Sequence, residues 1–269
     1  MTSADLEGCA PDWTTPIEGS YRGRRIVTNR PPGGGVMLLE MLNILENFEL
    51  SNYEHNSPAY IALVSEAMKR ATIDKDKRVG DPRFVDVPLS KLTGKEHAAN
   101  LANEIRRGER ATVRRLPPAD AVPRDTTHIS VVDSDGNCVA MTHSLGMPAG
   151  VITPGLVFMY NGCMGVFDPP PGRAVSIAPG KSRFSAICPT IMFEDDTPAL
   201  VLGAPGGTQI VMGVLQTILN TVDFGMSVTE AVSAPRFSST GNAIDVSNRI
   251  PRSVTRTLEA DGRNVIRNP

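Results

Sequence analysis

The residues richest in chemistry are Asp125-Thr126-Thr127-His128, where adjacent threonines open a β-prone run directly after a Pro-rich stretch. If the Asp125–Thr126 peptide is cut, Thr126 gains an α-amine with a pKa of about 7.7 to 8, able to take the proton of its own hydroxyl at neutral pH. One residue then supplies both nucleophile and base. Paired β-branched residues also serve simply to start a strand, so the surroundings must decide. A three-residue loop Ser134-Asp135-Gly136, with Gly136 left-handed, pairs Asp133 with Asn137 and therefore Thr126 with Ser144; a two-residue loop would oppose Leu145 instead. Later, Gly206-Gly207 sits where a strand turns into a helix, and there free N–H groups and the helix dipole favour developing negative charge.

Other motifs fail on spacing. Gly180-Lys181-Ser182 resembles the end of a phosphate-binding loop, but Val175 stands where its first glycine belongs. Asp133-Ser-Asp135-Gly-Asn137 begins like a calcium loop, yet Cys138 replaces the required glycine and Ser144 the closing Glu. Cys9, Cys138, Cys163 and Cys188 show no Cys-x-x-Cys spacing, and His55, His97, His128 and His143 form no ligand pair. They read as reduced thiols, with no metal and no cofactor expected. A thiolate nucleophile at Cys163 or Cys188 is a minor alternative that spacing does not localise.

The elements that must position these residues follow from periodicity. Tyr21 to Val27 reads as a strand, Pro31 to Gly35 as a breaker, and Val36 to Phe48, apolar on nearly every face, as a buried helix. Ser57-Pro58 caps a helix running to about Lys75, and Thr93 with Glu96 forms a capping box for another ending near Gly108. Gly108 to Asp125 reads as a connector. Beyond it come the hairpin Thr126–Val132/Cys138–Leu145, a second hairpin around Glu194-Asp195-Asp196, and a helix from Ile210 to Val222 stopped at Gly225. Interleaved helices and antiparallel pairs make the class α+β.

Composition bounds the function. The 269 residues carry 27 Lys plus Arg against 29 Asp plus Glu, a net charge of −2, with 41% apolar residues, so no field draws nucleic acid or an anionic membrane. The apolar stretch Val36–Leu45 is broken by Glu40 and falls short of the roughly 18 residues a membrane span needs. The start has no basic n-region and no apolar h-region, so a cytoplasmic location is the expectation for the chain as written.

The set as a whole resembles the gamma-glutamyltranspeptidase family. Matching stretches are Thr126-Thr-His-Ile-Ser-Val-Val-Asp133, Ala178-Pro-Gly-Lys181, Pro189-Thr-Ile191, Gly203-Ala-Pro-Gly-Gly207, Asn220-Thr-Val-Asp-Phe224 and Ala234-Pro-Arg-Phe237. Upstream, Glu40-Met-Leu-Asn-Ile-Leu45 and Gly80-Asp-Pro-Arg-Phe84 look like the last part of that family's large subunit. The resemblance implies the four-layer αββα sandwich of N-terminal-nucleophile hydrolases. Residues 1–125 are then the end of a large-subunit-like region and 126–269 a small-subunit-like region, together one domain cut before Thr126 into a two-chain heterodimer. It implies Thr126 as nucleophile, Ser144 as the hydroxyl bonded to it, and the N–H groups of Gly206 and Gly207 as oxyanion hole.

Departures matter too. The family's Ser-Ser pair for the substrate α-carboxylate appears as Ser185-Ala186, Gly146 replaces an asparagine, and Cys163 and Val166 stand for the Gln and Asp that read the α-amino group. Unpaired buried charges are costly, so a γ-glutamyl head group should bind poorly and the chain sits nearer the amidase and acylase relatives. Much of the family's large subunit has no counterpart, so a missing partner region or a homo-oligomer is expected to cover uncovered faces. The reading is a self-cleaving amidohydrolase or acyltransferase acting on a small-molecule amide or γ-glutamyl substrate. The alternative is a noncatalytic relative that keeps the fold.

Overall fold

Arg22 and Gly23, with φ of 50° and 79°, fold the first β-prone run back on itself. β1 (Ile17–Tyr21) and β2 (Arg24–Thr28) are an antiparallel hairpin, which corrects the expectation of one strand from Tyr21 to Val27. Two consecutive left-handed residues make the tight turn whose twist suits antiparallel strands, and apolar alternation does not register them. The computed structural model describes residues 10–113, 126–155 and 158–268, with Ala4, Glu7 and Gly8. Cys9 and most of the Pro-rich connector, including Asp125, lie outside the described residues.

β2 pairs with β7 (Thr190–Glu194) and β7 with β8 (Thr197–Leu202), giving a four-stranded sheet in the order β1-β2-β7-β8. Alternate residues Ile17, Tyr21, Ile26, Met192, Leu200 and Leu202 are buried on one face, as period-2 patterning requires. Against that face lies α1 (Gly35–Leu45), buried at every position, with Leu39 under Gly19. α2 (Pro58–Arg78), the short α3 (Leu89–Leu92), α4 (Lys95–Arg106) and α5 (Ile210–Val222) pack around α1. A helix apolar on all sides belongs in the middle of such a layer.

The caps divide. Ser57 Oγ accepts from Tyr60 N–H and opens α2 as expected. The Thr93–Glu96 capping box is not formed: Thr93 donates its hydroxyl to the Leu89 carbonyl, and Gly94 opens α4 without a side-chain bond. The turn of α3 presents that carbonyl four residues back, so Thr93 satisfies it rather than the helix ahead.

β3 (Thr126–Val132) and β4 (Cys138–Ser144) form a separate two-stranded sheet. β5 (Pro148–Ile152) pairs with β6 (Met159–Asn161). A three-stranded sheet, β9 (Phe237–Ser238), β10 (Ala243–Ser247) and β11 (Asn264–Asn268), has α7 (Arg252–Ala260) between β10 and β11, and α6 (Val228–Ser233), ahead of β9, packs against α5. The class is α+β, as read. One face of the β3–β4 hairpin turns toward β8, where Ser130 Oγ donates to the Val201 carbonyl. Ile129, Val131, Val139 and Met141 on the other face are each about half exposed.

One polar cluster lies within the helical layer. Glu40 on α1 is buried, and His97 Nε2 on α4 is 2.7 Å from Asp74 Oδ2 and 3.7 Å from Glu40 Oε1. Burial pushes the Glu40 carboxyl up to about 8, with the nearby Asp74 charge adding to it. The folded chain then holds a proton that the unfolded chain releases above its ordinary carboxyl pKa. Stability from it is complete at acid pH and is lost as pH rises through the folded value. Glu40→Gln, neutral at every pH, is expected to remove this loss. Its thermal midpoint should match or trail wild type near pH 5 and exceed it by several degrees near pH 9, and parallel midpoints across that range would refute the assignment.

Candidate active site

The hairpin register follows from its turn. Gly136 has φ 82°, its N–H donates to the Asp133 carbonyl, and Asp133 N–H donates to Asn137 O. Asp133 Oδ1 also accepts from the N–H groups of Asp135 and Asn137. Val132 therefore faces Cys138 and Thr126 faces Ser144. The hydroxyls Thr126 Oγ1 and Ser144 Oγ are 2.8 Å apart.

Ser144 is itself held. The N–H of Gly146 donates to Ser144 Oγ at 2.8 Å. An oxygen that already accepts one proton is polarised to donate its own, and a proton donated to Thr126 Oγ1 lowers the cost of negative charge on that oxygen. Gly146 adopts φ 69°, and a Cβ there would lie 2.5 Å from Cys163 Sγ. Two of the expected departures are thus one packing unit: the thiol fills the space a side chain at 146 would need.

The hairpin is seated by His128. Its ring lies against Gly203, where an added Cβ would meet Nδ1 at 2.2 Å. Nδ1 is 2.8 Å from Thr142 Oγ1 and Nε2 3.0 Å from Ser130 Oγ. Burial lowers the pKa of this imidazole, so it sits neutral between two hydroxyls. Because Gly203 directly follows β8, this contact brings Thr126 beside the turn that runs to Gly206 and Gly207. Those glycines have φ 125° and 59°, and a short 3-10 turn, Gly207–Gln209, precedes α5. Among the described residues no acceptor is bonded to either N–H. The helix dipole expected directly behind them is set back by that turn.

Thr126, Ser144, Gly146, Ser185 and Gly207 line one cavity of about 950 Å³, together with Arg183, Ala186, Thr208 and Thr240. Cys163 is not among the lining residues: it is buried and its thiol donates to the Leu145 carbonyl at 3.2 Å. Gly206 adjoins the wall but does not line it. Ser185 Oγ accepts from Ile187 N–H at 3.3 Å, and Ser185 N–H donates to Pro32 O. What this arrangement can do is hold a reactive hydroxyl against a second hydroxyl, with backbone donors nearby, at the wall of a chamber large enough for a small acyl compound.

A sequence profile described as Gamma-glutamyltranspeptidase matches residues 1–269. The chain belongs to that family. It is 38% identical over 276 residues to the Acylase ACY 1 proenzyme of Pseudomonas sp. (strain V22), covering 100% of this chain and 49% of that protein. It is 34% identical over 283 residues to the Glutathione hydrolase proenzyme of Escherichia coli (strain K12), covering 98% of this chain and 49% of that one. The solved cephalosporin acylase from Bacillus halodurans superposes with a TM-score of 0.86 at 29% identity, over 100% of this chain and 49% of that chain. The chain thus spans about half the length of the curated relatives it matches.

Within this gamma-glutamyltranspeptidase-family chain, sequence reading passed over Arg183, two residues before the expected Ser185. A lone arginine in an Arg/Lys-rich stretch carries no periodic or spacing signal. The loop that carries it is clamped from outside: Asp81 Oδ2 accepts from Ser182 N–H and from Arg83 Nη2, each at 2.7 Å. Those bonds, the Arg83 one foremost, hold the Asp81 carboxyl down to about 2. Glu40, Asp74 and His97 place three ligand-type atoms within 4.8 Å of one another. There His97 bonds Asp74 and Arg78 Nε stands 3.2 Å from the same carboxylate, while the buried Glu40 Oε1 has no hydrogen-bond partner among the described residues.

Proposed function

We propose that this chain is the catalytic part of a gamma-glutamyltranspeptidase-like amidohydrolase or acyltransferase that cleaves itself before Thr126. The observation that carries the reading is the 2.8 Å contact of Thr126 Oγ1 with Ser144 Oγ at the cavity wall. In processing, Thr126 Oγ1 attacks the Asp125 carbonyl carbon, the Asp125–Thr126 C–N bond breaks, and water hydrolyses the resulting ester. The freed α-amine of Thr126 then serves as base for its own hydroxyl. In turnover that hydroxyl attacks an amide, the amine departs with a proton, and water or a second amine takes the acyl group from the threonyl ester. Backbone N–H groups of Gly206 and Gly207 carry the charge of the tetrahedral oxyanion.

The same reading assigns the missing layers. The half-exposed face of Ile129, Val131, Val139 and Met141 is an apolar sheet face of the kind that completes a sandwich. In the proposed whole protein it is covered by the region the longer relatives carry, which would make the four-layer αββα arrangement.

Intact mass under denaturing conditions tests the proposal. Two fragments ending at Asp125 and beginning at Thr126 are expected. A single uncut chain, stable through prolonged incubation at neutral pH, would favour a noncatalytic relative.

A further inference from the structure

Three helices bring together side chains that no spacing in the sequence pairs. Glu40 on α1, Asp74 on α2 and His97 on α4 place three ligand-type atoms within 4.8 Å of one another, the only such group among the described residues. His97 Nε2 is 2.7 Å from Asp74 Oδ2 and 3.7 Å from Glu40 Oε1. An imidazole nitrogen offers one proton or one lone pair, and Asp74 takes it. Glu40 Oε1 is left over. The residue is 1% exposed, and this oxygen has no hydrogen-bond partner among the described residues. A buried carboxylate oxygen in that position is costly until something positive meets it. The nearby guanidinium of Arg78 stands at Asp74 instead, its Nε 3.2 Å from Oδ1.

One imidazole nitrogen and two carboxylate oxygens suit a divalent transition ion, whereas Mg²⁺ and Ca²⁺ are served by oxygen alone. A tetrahedral Zn²⁺ with bonds of about 2.0 to 2.1 Å sets its ligand atoms about 3.4 Å apart. The His97–Glu40 separation is already close to that, and the His97–Asp74 contact has to open by less than one ångström. The surroundings agree with such an ion. Two carboxylates balance its charge inside the helical layer, and Arg78 at Oδ1 orients the carboxylate that ligates through Oδ2, as outer partners of metal ligands do. His97, whose side chain is only partly buried, gives a way in. We propose that Glu40, Asp74 and His97 bind one Zn²⁺ ion, with water as the fourth ligand, and that the ion ties α1, α2 and α4 together. Met37 on α1 and Thr72, Ile73 and Lys75 on α2 line the cavity of Thr126, so the ion braces the helices behind that wall. The site does not depend on the Thr126 reading. Ion and proton are alternatives at Glu40, so the pH dependence of its carboxyl belongs to the chelator-treated protein.

The test uses the full chain, stripped with EDTA, dialysed and titrated with ZnCl₂ by calorimetry, with the thermal midpoint followed in parallel. One ion per chain with micromolar or tighter affinity is expected, and a midpoint raised by about 5 °C or more at a hundredfold excess over Kd. Glu40→Gln and His97→Gln should each weaken binding at least about a hundredfold, since loss of an outer partner alone costs up to that much, and should lose the rise. MgCl₂ at the same concentration should leave the midpoint where it was. A wild-type readout covers the case in which a variant fails to fold: Zn²⁺ should slow carbethoxylation of His97 by diethyl pyrocarbonate at least about tenfold, read by peptide mass against the exposed His143. No Zn²⁺ binding by the stripped chain, equal binding by the folded variants, an equal response to Mg²⁺, or an unchanged rate at His97 overturns the proposal.

Discussion

Thr126→Ala is expected to abolish amide hydrolysis, by at least about a thousandfold, and to leave one uncut polypeptide with unchanged circular dichroism. The size of the effect follows from the number of jobs this residue holds. In the proposed mechanism its hydroxyl is the attacking atom in processing and in turnover, and its amine, once freed, is the base. Nothing nearby substitutes: Ser144 Oγ is within 2.8 Å but is tied to Gly146 N–H and lacks an adjacent free amine. Thr126→Ser keeps the hydroxyl and the amine and should retain processing, more slowly or not. The fold should survive both changes, because Thr126 opens β3 and is only half-buried. Self-cleavage of Thr126→Ala at the same bond would remove Thr126 from the mechanism.

Gly35→Ala is expected to cost about 3 kcal/mol of stability and to lower the thermal midpoint by roughly 8 °C. Gly35 opens α1 under β2, and a Cβ there would lie 2.2 Å from the Asn29 carbonyl oxygen and 2.6 Å from Thr28 Cγ2. The nearest obstacle is backbone, which cannot rotate away. Asn29 Oδ1 also accepts the Gly35 N–H at 3.1 Å while Asn29 Nδ2 donates to Ile187 O, so displacing this corner also pulls on the strand approach that follows Ser185. The midpoint should therefore fall together with the activity of the folded fraction. A midpoint within about 1 °C of wild type would show that the corner yields freely, contrary to the packing argued here.

The β3–β4 hairpin and its register were legible in the sequence because they depend on local rules. Asp133, Gly136 and Asn137 dictate the loop, and the side-chain period of two carries that register back to Thr126 and Ser144 without any knowledge of the rest of the chain. The same holds for α1, whose run, apolar on nearly every face, reads as a buried helix, and for the Ser57 cap. Errors arose where local signals compete. Arg22-Gly23 was hidden inside an alternating run, and Thr93 had a nearer carbonyl than the helix it was expected to cap.

Tertiary structure alone decided what surrounds the hydroxyl pair. That Cys163 backs Gly146 rather than facing the cavity depends on a contact between residues far apart in sequence, and no residue type announces it. His128 became a seat for the hairpin only because Gly203 leaves room for its ring. Arg183 reaches the cavity wall through a loop that Asp81 holds across the chain, which composition cannot express. By itself the sequence determined a threonine at the start of a strand, a hydroxyl in register with it, and a pair of glycines at a strand-to-helix turn, because those follow from residue type and short-range geometry. The tertiary structure decided which groups share the chamber with them, because long-range packing sets distances between residues that the chain separates by scores of positions.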